Sequence, residues 1–452
     1  MKFFAYASGL SLVVGTLFAC SGGSSDNAKN TGGDGGSSSD ESGKGGSGGD
    51  GQGEREGGDG GRAAQGGGAP QGGAPPQGAG GAAGSGGASS PGAGGSTKPG
   101  DPGPPPGTSK SILGTGGESS AKISALTTAS GCLNKPTDVA FNPRRKNELW
   151  VTNYGDNSVC LVMDATATAL KSERRQESSN NHYMPRPMAM AFGGDNTSFG
   201  ALGTFASAND SAGDGNPDDG AMWNGITLWS SDLETFGKYS RGGGNSHLDM
   251  LHDSPLARGI AWETDNIYWV FGAMLQDITR YDFAKDHNRG NADHSDGSQW
   301  HYAAGMVKGV DGVPSHMFYD ASTKMLYIAD TGNKRVARLD TTTGTLNPKR
   351  HTRTKDHPET KVDAVMDGAK VTDVVAASAG LSQPAGLDLA DKVLYVSDFA
   401  TGIIYAFDLE GRKISSLDTK LGAGKVAGLA AGPDGKLYFA STATNTLYVV
   451  SP

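Results

Sequence analysis

Residues 326–336 read LYIADTGNKRV, which is an apolar strand pattern, a polar turn and the start of a second strand. Three other segments share this order of strand, turn and strand, and they begin at Leu149, Leu394 and Leu437. Within each strand, apolar residues alternate with small ones. A unit that recurs at a spacing of tens of residues is typical of propellers and solenoids. The pattern therefore predicts an all-β repeat protein.

Six such units can be aligned on the strand that opens each of them. The opening residues are Asp138, Ala189, Gly259, His316, Gly386 and Gly428. Prolines stand just upstream of the first five, where an extended segment without an N–H is tolerated. Six four-stranded blades account for residues 119–452, and we predict a six-bladed β-propeller.

The predicted ring closes through a strand near the start of the folded region. The last unit ends at Val450 after its third strand, which leaves no chain for a fourth. Residues 122–128 read KISALTT and resemble residues 413–419, KISSLDT, the predicted fourth strand of the preceding blade. We expect residues 122–128 to complete the last blade and to cover its open edge.

The units resemble NHL repeats. The resemblance rests on PAGLD at residues 384–388 followed by LYVSD at residues 394–398, and on residues 327–336. It is clearest over the last three units and weakest over the second and third, which contain long insertions. The resemblance implies the fold alone, because NHL-type propellers include protein-binding modules, lactonases and a metal-dependent lyase that trims amidated peptides.

The N-terminal segment predicts export. Residues 2–19 consist of one basic residue followed by a mostly apolar run. This run is too short for an ordinary membrane span. Residues 17–20 read LFAC and resemble the bacterial lipobox, which implies removal of residues 1–19 as a signal peptide and lipidation of Cys20. Plain secretion is the alternative. By the family rule Ser21 does not retain a lipoprotein in the inner membrane, so we expect the outer membrane or the cell surface.

Residues 20–118 predict a disordered, Gly-rich tether. Residues 21–117 contain 37 of the 72 glycines and almost no branched or aromatic side chains that could offset the entropy of folding. A coil of this kind spans roughly 50–60 Å on average. The net charge of −9 and the lack of a basic stripe exclude a nucleic-acid partner.

Two cysteines remain in the predicted propeller, Cys132 and Cys160. In an oxidising compartment they can pair, which would join the segment before the first strand of blade 1 to its third strand. Two buried thiols are the alternative, because Cys160 occupies an apolar-patterned position. The sequence leaves both readings open.

The residues that open the blades should line the channel. Four of the six are Gly or Ala, which lets the strands approach the axis closely. The exceptions are Asp138 and His316, and Arg258 precedes Gly259. We interpret Asp138, Arg258 and His316 as a binding cluster for a metal or a carboxylate at one channel mouth. A hydrated channel with ordinary polar lining is the alternative. Because blades 1 and 4 are opposite, we expect Asp138 and His316 to need an ion or water between them.

Two long insertions carry further candidate ligands. One combines oxygen and imidazole donors at Asp286, His287, Asp293, His294 and Asp296, which suggests a divalent metal ion, calcium or zinc. The other, residues 209–219, has the acidic composition of a calcium loop but lacks the order of an EF-hand. A solvated loop is the alternative for both.

Taken together, the sequence favours a surface- or envelope-tethered module that binds a protein, peptide or glycan through its propeller loops. No compact catalytic motif is present in the chain. A metal-dependent enzyme of lactonase or lyase type, with its site at the channel mouth, is the alternative. A purely structural envelope protein is the third.

Overall fold

The computed structural model describes residues 110–114, 117–194, 203–213, 225–238, 246–252, 254–289, 291, 293–347, 349 and 360–452. The predicted signal peptide, Cys20 and the tether up to residue 109 lie outside this part of the chain. The described part is almost entirely β-structure. Its α-helix, α1 (Asn180–Tyr183), is four residues long, and no helix in these ranges is long and apolar enough to cross a bilayer.

The strands form six sheets, which are the six predicted blades. Two strands precede the first blade: β1 (Gly117–Glu118) and β2 (Lys122–Leu126). Blade 1 contains β3 (Pro136–Phe141), β4 (Leu149–Asn153), β5 (Ser158–Val162) and β6 (Ser172–Arg175). Blade 2 contains β7 (Pro187–Phe192), β8 (Thr204–Asn209), β9 (Ile226–Ser230) and β10 (His247–Leu251). Blade 3 contains β11 (Ala257–Thr264), β12 (Ile267–Gly272), β13 (Asp277–Asp282) and β14 (Ser298–Tyr302).

The second half of the ring follows the same plan. Blade 4 contains β15 (Met317–Asp320), β16 (Met325–Asp330), β17 (Arg335–Asp340) and, after β18 (Thr345–Asn347) and β19 (Val362–Asp367), β20 (Lys370–Val375). Blade 5 contains β21 (Pro384–Ala390), β22 (Val393–Asp398), β23 (Ile403–Asp408) and β24 (Lys413–Asp418). Blade 6 contains β25 (Val426–Ala431), β26 (Leu437–Ser441) and β27 (Thr446–Ser451).

The N-terminal strand closes the ring. β2 pairs antiparallel with β27, from Lys122 opposite Ser451 to Leu126 opposite Leu447, and becomes the fourth strand of blade 6. β1 adds to blade 5 by pairing in parallel with β24. The predictions of six blades and of closure by an N-terminal strand are confirmed.

The apolar core is divided among the spaces between blades. The buried side chains form six clusters, and each cluster joins two adjacent blades around the ring. Between blades 1 and 2, for example, Trp150 packs on Phe192, Phe205 and Phe236. Because every blade buries both faces against neighbours, an open ring would expose apolar surface on its first and last blades.

A disulfide lies at the junction of blades 6 and 1. Cys132, just before β3, is bonded to Cys160 in β5, and their Cα atoms are 5.2 Å apart. Both residues are buried in the cluster that also contains Tyr438 of blade 6. The crosslink thus ties the segment between β2 of blade 6 and β3 to the third strand of blade 1.

Candidate functional sites

The first candidate site is a cavity of about 470 Å³ on the propeller axis, lined by residues from the inner strands of all six blades. The strands crowd together because small residues open most of them. A Cβ added at Gly259 would lie 1.9 Å from the carbonyl oxygen of Ser315, so no side chain fits there. The close approach of the backbones is what brings polar side chains of different blades within contact distance.

Two carboxylates, Asp138 and Asp388, form what we call the acidic pair of this cavity. Asp138 accepts hydrogen bonds from the backbone N–H of Val139 in its own blade and of Met190 in the next, both at 2.8 Å. Asp388 likewise accepts from Leu389 and, in blade 6, from Ala431 at 2.7 Å. Each carboxylate therefore joins its blade to the following one.

His316 contacts one member of the acidic pair, Asp138. Its Nδ1 lies 3.3 Å from Oδ1 of Asp138, and its Nε2 lies 3.4 Å from the carbonyl oxygen of Met188. The expectation that Asp138 and His316 would need an ion or water between them is wrong. The channel is narrower than the six-fold argument assumed, because the strands opened by glycine and alanine approach the axis closely.

The environment of the acidic pair disfavours its charged form. Burial raises the pKa of Asp138, and the neighbouring His316 offsets part of that effect. Burial also raises the pKa of Asp388 to about 6, and the charge of Asp138 adds to the shift. Both carboxyl groups would hence be stabilised by a cation placed in the cavity.

Aromatic side chains, among a larger number of aliphatic ones, also line the cavity. We call them the aromatic wall, and they are Phe141, Phe192, Trp262, Phe318 and Tyr319. Four of them stand three residues after the residue that opens their inner strand. Trp262 is 38% exposed, so part of the wall is open to solvent. A cavity lined by both acidic groups and aromatic rings suits an organic cation.

Arg258 is held away from the acidic pair. Its Nε lies 2.9 Å from Oδ1 of Asp210, and its Nη2 lies 3.0 Å from Oδ1 of Asp311. It is not among the residues that line the axial cavity. Of the three residues predicted to cluster at the channel mouth, the structure brings Asp138 and His316 together and pairs Arg258 with two other acids.

The second candidate site lies between blades 2 and 3. The donor nitrogens of His247, His287 and His294 all lie within 4.8 Å of one another. His247 begins β10, whereas His287 and His294 belong to the insertion between β13 and β14. The backbone N–H of His287 donates to the carbonyl oxygen of Leu248 at 3.0 Å, which fixes the insertion on β10.

The tautomer of His287 follows from its contacts. Its Nδ1 lies 2.6 Å from the carbonyl oxygen of Asn288. A carbonyl can only accept, so Nδ1 carries the proton and Nε2 has the lone pair. Nε2 is buried and has no hydrogen-bond partner within the described part of the chain. A buried lone pair of this kind is a ready metal ligand.

Further histidines and acids surround this group. Five of the nine histidines gather here, since His182 acts electrostatically on His247 and the ring of His252 is 6.1 Å from that of His294. Burial and the neighbouring histidines lower the pKa of His247 to about 3. Burial, together with Asp296, Asp286 and Asp293, raises the pKa of Asp249 to about 9.

The predicted acidic ligands of the insertion lie beside the histidines. Asp286, Asp293 and Asp296 line a cavity of about 440 Å³ together with His287. Asp293 accepts hydrogen bonds from the N–H and hydroxyl of Ser295, and Asp296 accepts from the N–H of Lys285. Of the five residues proposed as metal ligands, the structure brings His287 and His294 together and leaves the three acids occupied in part by the loop itself.

Sequence reasoning missed His247, Asp249 and Asp388. A signal for the first two was available, because His247 and Asp249 alternate with apolar residues in the segment 247–251. Asp388 stands two residues after the opening residue of blade 5, a position that also faces the axis. The acidic loop at residues 209–219 is described only up to residue 213, where Asp210 pairs with Arg258, and the rest of this possible calcium loop lies outside the described residues.

Comparison with known proteins returned resemblances in shape. No family model and no curated protein matches the sequence. A Bacteroides thetaiotaomicron structural-genomics protein of unknown function is 9% identical and superposes with a TM-score of 0.45, over 74% of this chain and 76% of that one. A streptogramin B lyase is 11% identical (TM-score 0.43; 73% and 97% covered). An auxiliary nutrient binding protein from Bacteroides ovatus is 12% identical (TM-score 0.42; 70% and 69% covered).

Proposed function

We propose that this protein is an exported, lipid-anchored binding module whose axial cavity receives a basic side chain of a peptide outside the cytoplasm. The single observation behind the proposal is the composition of the cavity, in which the acidic pair lies among the residues of the aromatic wall. The lipobox-like residues 17–20 and the Gly-rich tether support an anchored, exported chain.

A cation is the ligand that this cavity would stabilise most. The raised pKa values of Asp138 and Asp388 mean that their charged forms lack solvation, and an ammonium or guanidinium group would replace it. The aliphatic stem of lysine or arginine packs well on aromatic faces. A neutral glycan offers no such charge, so a basic peptide is preferred. The net charge of −9 also attracts cationic ligands.

Calorimetric titration with two matched peptides tests the proposal. One is a blocked Gly-Lys-Gly peptide, and the other has norleucine in place of lysine, which keeps the stem and removes the charge. We expect the lysyl peptide to bind roughly 10- to 100-fold more tightly, as for the loss of a charge-assisted hydrogen bond. Equal binding of the two peptides, or binding of neither, would contradict the proposal.

A pair of variants locates the binding. Asp388→Asn should weaken the lysyl peptide and leave the norleucine peptide unchanged. Asp311→Asn is the matched control, because this carboxylate is fully exposed and lies outside the cavity. If Asp311→Asn weakened binding as much as Asp388→Asn, the cavity would not be the site.

The alternative function is a metal-dependent enzyme with its site at the channel mouth. The contact of His316 with Asp138 favours it, because a histidine beside a carboxylate can transfer protons. Among the described residues, however, the side chains grouped closely enough to hold a metal ion are the three histidines of the second site, and none of them lies in the channel. Two results would support this alternative over the binding module. His316→Gln should lose lactone turnover, and a divalent ion should restore turnover in wild-type protein stripped of metal.

A further inference from the structure

We propose that His247, His287 and His294 bind one transition-metal ion of the zinc class, and that this ion ties blade 2 to the insertion of blade 3. This site is separate from the axial cavity, so it stands or falls independently of the proposed peptide binding. It differs from the site expected from the sequence, because a strand of the neighbouring blade supplies one ligand and the loop acids are not required as ligands.

The geometry of the three nitrogens is close to that of a bound ion. Zinc–imidazole bonds of about 2.0–2.1 Å place tetrahedral ligands roughly 3.4 Å apart. All three donor atoms already lie within 4.8 Å of one another. To bind one ion, the distances between the three nitrogens must therefore shorten by ~1.4 Å or less, which side-chain rotations can supply.

The orientation of His287 is the one that a metal ligand needs. Its Nδ1–H donates to the carbonyl oxygen of Asn288, which leaves Nε2 as the free donor. A backbone carbonyl on the second ring nitrogen is the usual partner of a metal-bound histidine. The same residue is fixed from its backbone, since its N–H donates to Leu248 and its carbonyl accepts from the side chain of Asn291 at 2.6 Å. The ring is thus positioned before any ion arrives.

Acidic groups near the histidines favour a positive charge. Asp293 interacts electrostatically with both His294 and His287. His287 also lines the cavity that contains Asp286, Asp293 and Asp296, so an ion bound here could keep one position open to water.

The ligand types select the class of metal. Three imidazole nitrogens suit zinc, cobalt, nickel or copper, whereas calcium and magnesium prefer a cage made of oxygens. His247 comes from β10, and the two other ligands are about 40–47 residues later in the chain, by the numbering of the sequence. Because the ligands converge only in the folded ring, binding should stabilise the folded state.

Cobalt titration of the full chain, stripped with a chelator, tests the site directly. We expect one equivalent of Co²⁺ to produce visible absorption bands of a four-coordinate ion, and Zn²⁺ to displace it and raise Tm. His294→Gln and His287→Gln should each weaken cobalt binding by more than roughly 10–100-fold. That range is the loss expected when only the hydrogen-bond partner of a metal-bound histidine is removed. Circular dichroism checks that the variants remain folded.

His316→Gln is the matched control, because it removes a buried histidine from the axial cavity. It should bind cobalt with unchanged affinity, and His294→Gln should still bind the lysyl peptide. Absence of stoichiometric binding, retention of full affinity in both ligand variants, or loss of it in His316→Gln would overturn the proposal. Ca²⁺ binding that depends on His294 would also overturn it.

Discussion

At the level of single residues, the axial carboxylates combine two tasks. Asp138 and Asp388 each accept a backbone N–H from their own blade and one from the next. The hydrogen bonds explain why acids are tolerated so near the axis. They do not remove the cost of burial, because the pKa of both groups remains raised. The same side chains thus hold the ring together and prepare it for a cation.

The raised pKa of Asp388 predicts a specific pH dependence of stability. The group has its pKa at about 6 in the folded chain against 3.8 ordinarily, so between these values the folded state binds more protons. Stability should therefore fall as pH rises from about 4 to 6 and then level off. In Asp388→Asn this contribution is absent. Urea denaturation at pH 4, 5, 6 and 7 should therefore show that the free energy of unfolding of the wild type falls relative to that of the variant as pH rises. Parallel curves would contradict this.

At the level of elements, an insertion of blade 4 extends blade 3. β19 pairs in parallel with β14, and β18 follows it at the edge. His301 of β14 is fully buried at this junction, with Nδ1 2.6 Å from Asp277 and Nε2 3.2 Å from Asp363 of β19. One histidine between two carboxylates makes the junction depend on protonation.

The junction should weaken in alkali. Burial opposes the charge of His301, but Asp277 and Asp363 outweigh it and raise its pKa to about 9 from 6.5. The stabilisation, up to about 3 kcal/mol, is complete below pH 6.5 and is lost as pH rises through 9. Tm measured from pH 6 to 10 should fall more in the wild type than in His301→Gln. An equal fall in both chains would refute the role of His301.

Ring closure by β2 predicts position-specific effects of proline. Adjacent residues of an edge strand point their N–H groups in opposite directions, so either Ser124 or Ala125 donates to β27. One of Ser124→Pro and Ala125→Pro should lower Tm by about 1–2 °C for each kcal/mol lost, and the other should lower Tm less. Thr127→Pro, just beyond β2, is the control. If all three variants melted like the wild type, closure by β2 would be unsupported.

At the level of the whole molecule, the repeat pattern was sufficient to predict the blades and their closure. Strand alternation and chain length are local properties, and residues 122–128 could be matched to residues 413–419 directly. The histidine group could not be predicted in the same way. His247 and His287 meet only because β10 and the insertion of blade 3 are neighbours in the ring, which spacing in the sequence does not show.

In the channel, the sequence indicates which residues are involved but not how far apart they lie. Asp138 and His316, the two polar residues among those that open the blades, both line the axial cavity. The distance between them is shorter than the symmetry of the ring alone suggests, because symmetry does not fix the width of the ring's centre. Glycines such as Gly259, which leave no room for a Cβ, set that width.

The anchored state of the chain is a separate prediction. Cys20→Ser should abolish lipid attachment and release the protein from the membrane fraction, since residues 1–19 would then act as an ordinary cleaved signal peptide. Metabolic labelling with palmitate and fractionation of the producing bacterium measure the two effects. Substitution of Ser21 by Ala is the matched control and should leave labelling intact. Membrane retention and labelling of Cys20→Ser would contradict a lipid anchor at this residue.

The most direct test of the account is a crystal structure of the chain with the blocked Gly-Lys-Gly peptide. We expect the lysine side chain to lie in the axial cavity, with its ammonium within about 3 Å of a carboxylate oxygen of Asp388 or Asp138 and its stem on the aromatic wall. A peptide bound on the outer loops, with the axial cavity filled only by water, would contradict it.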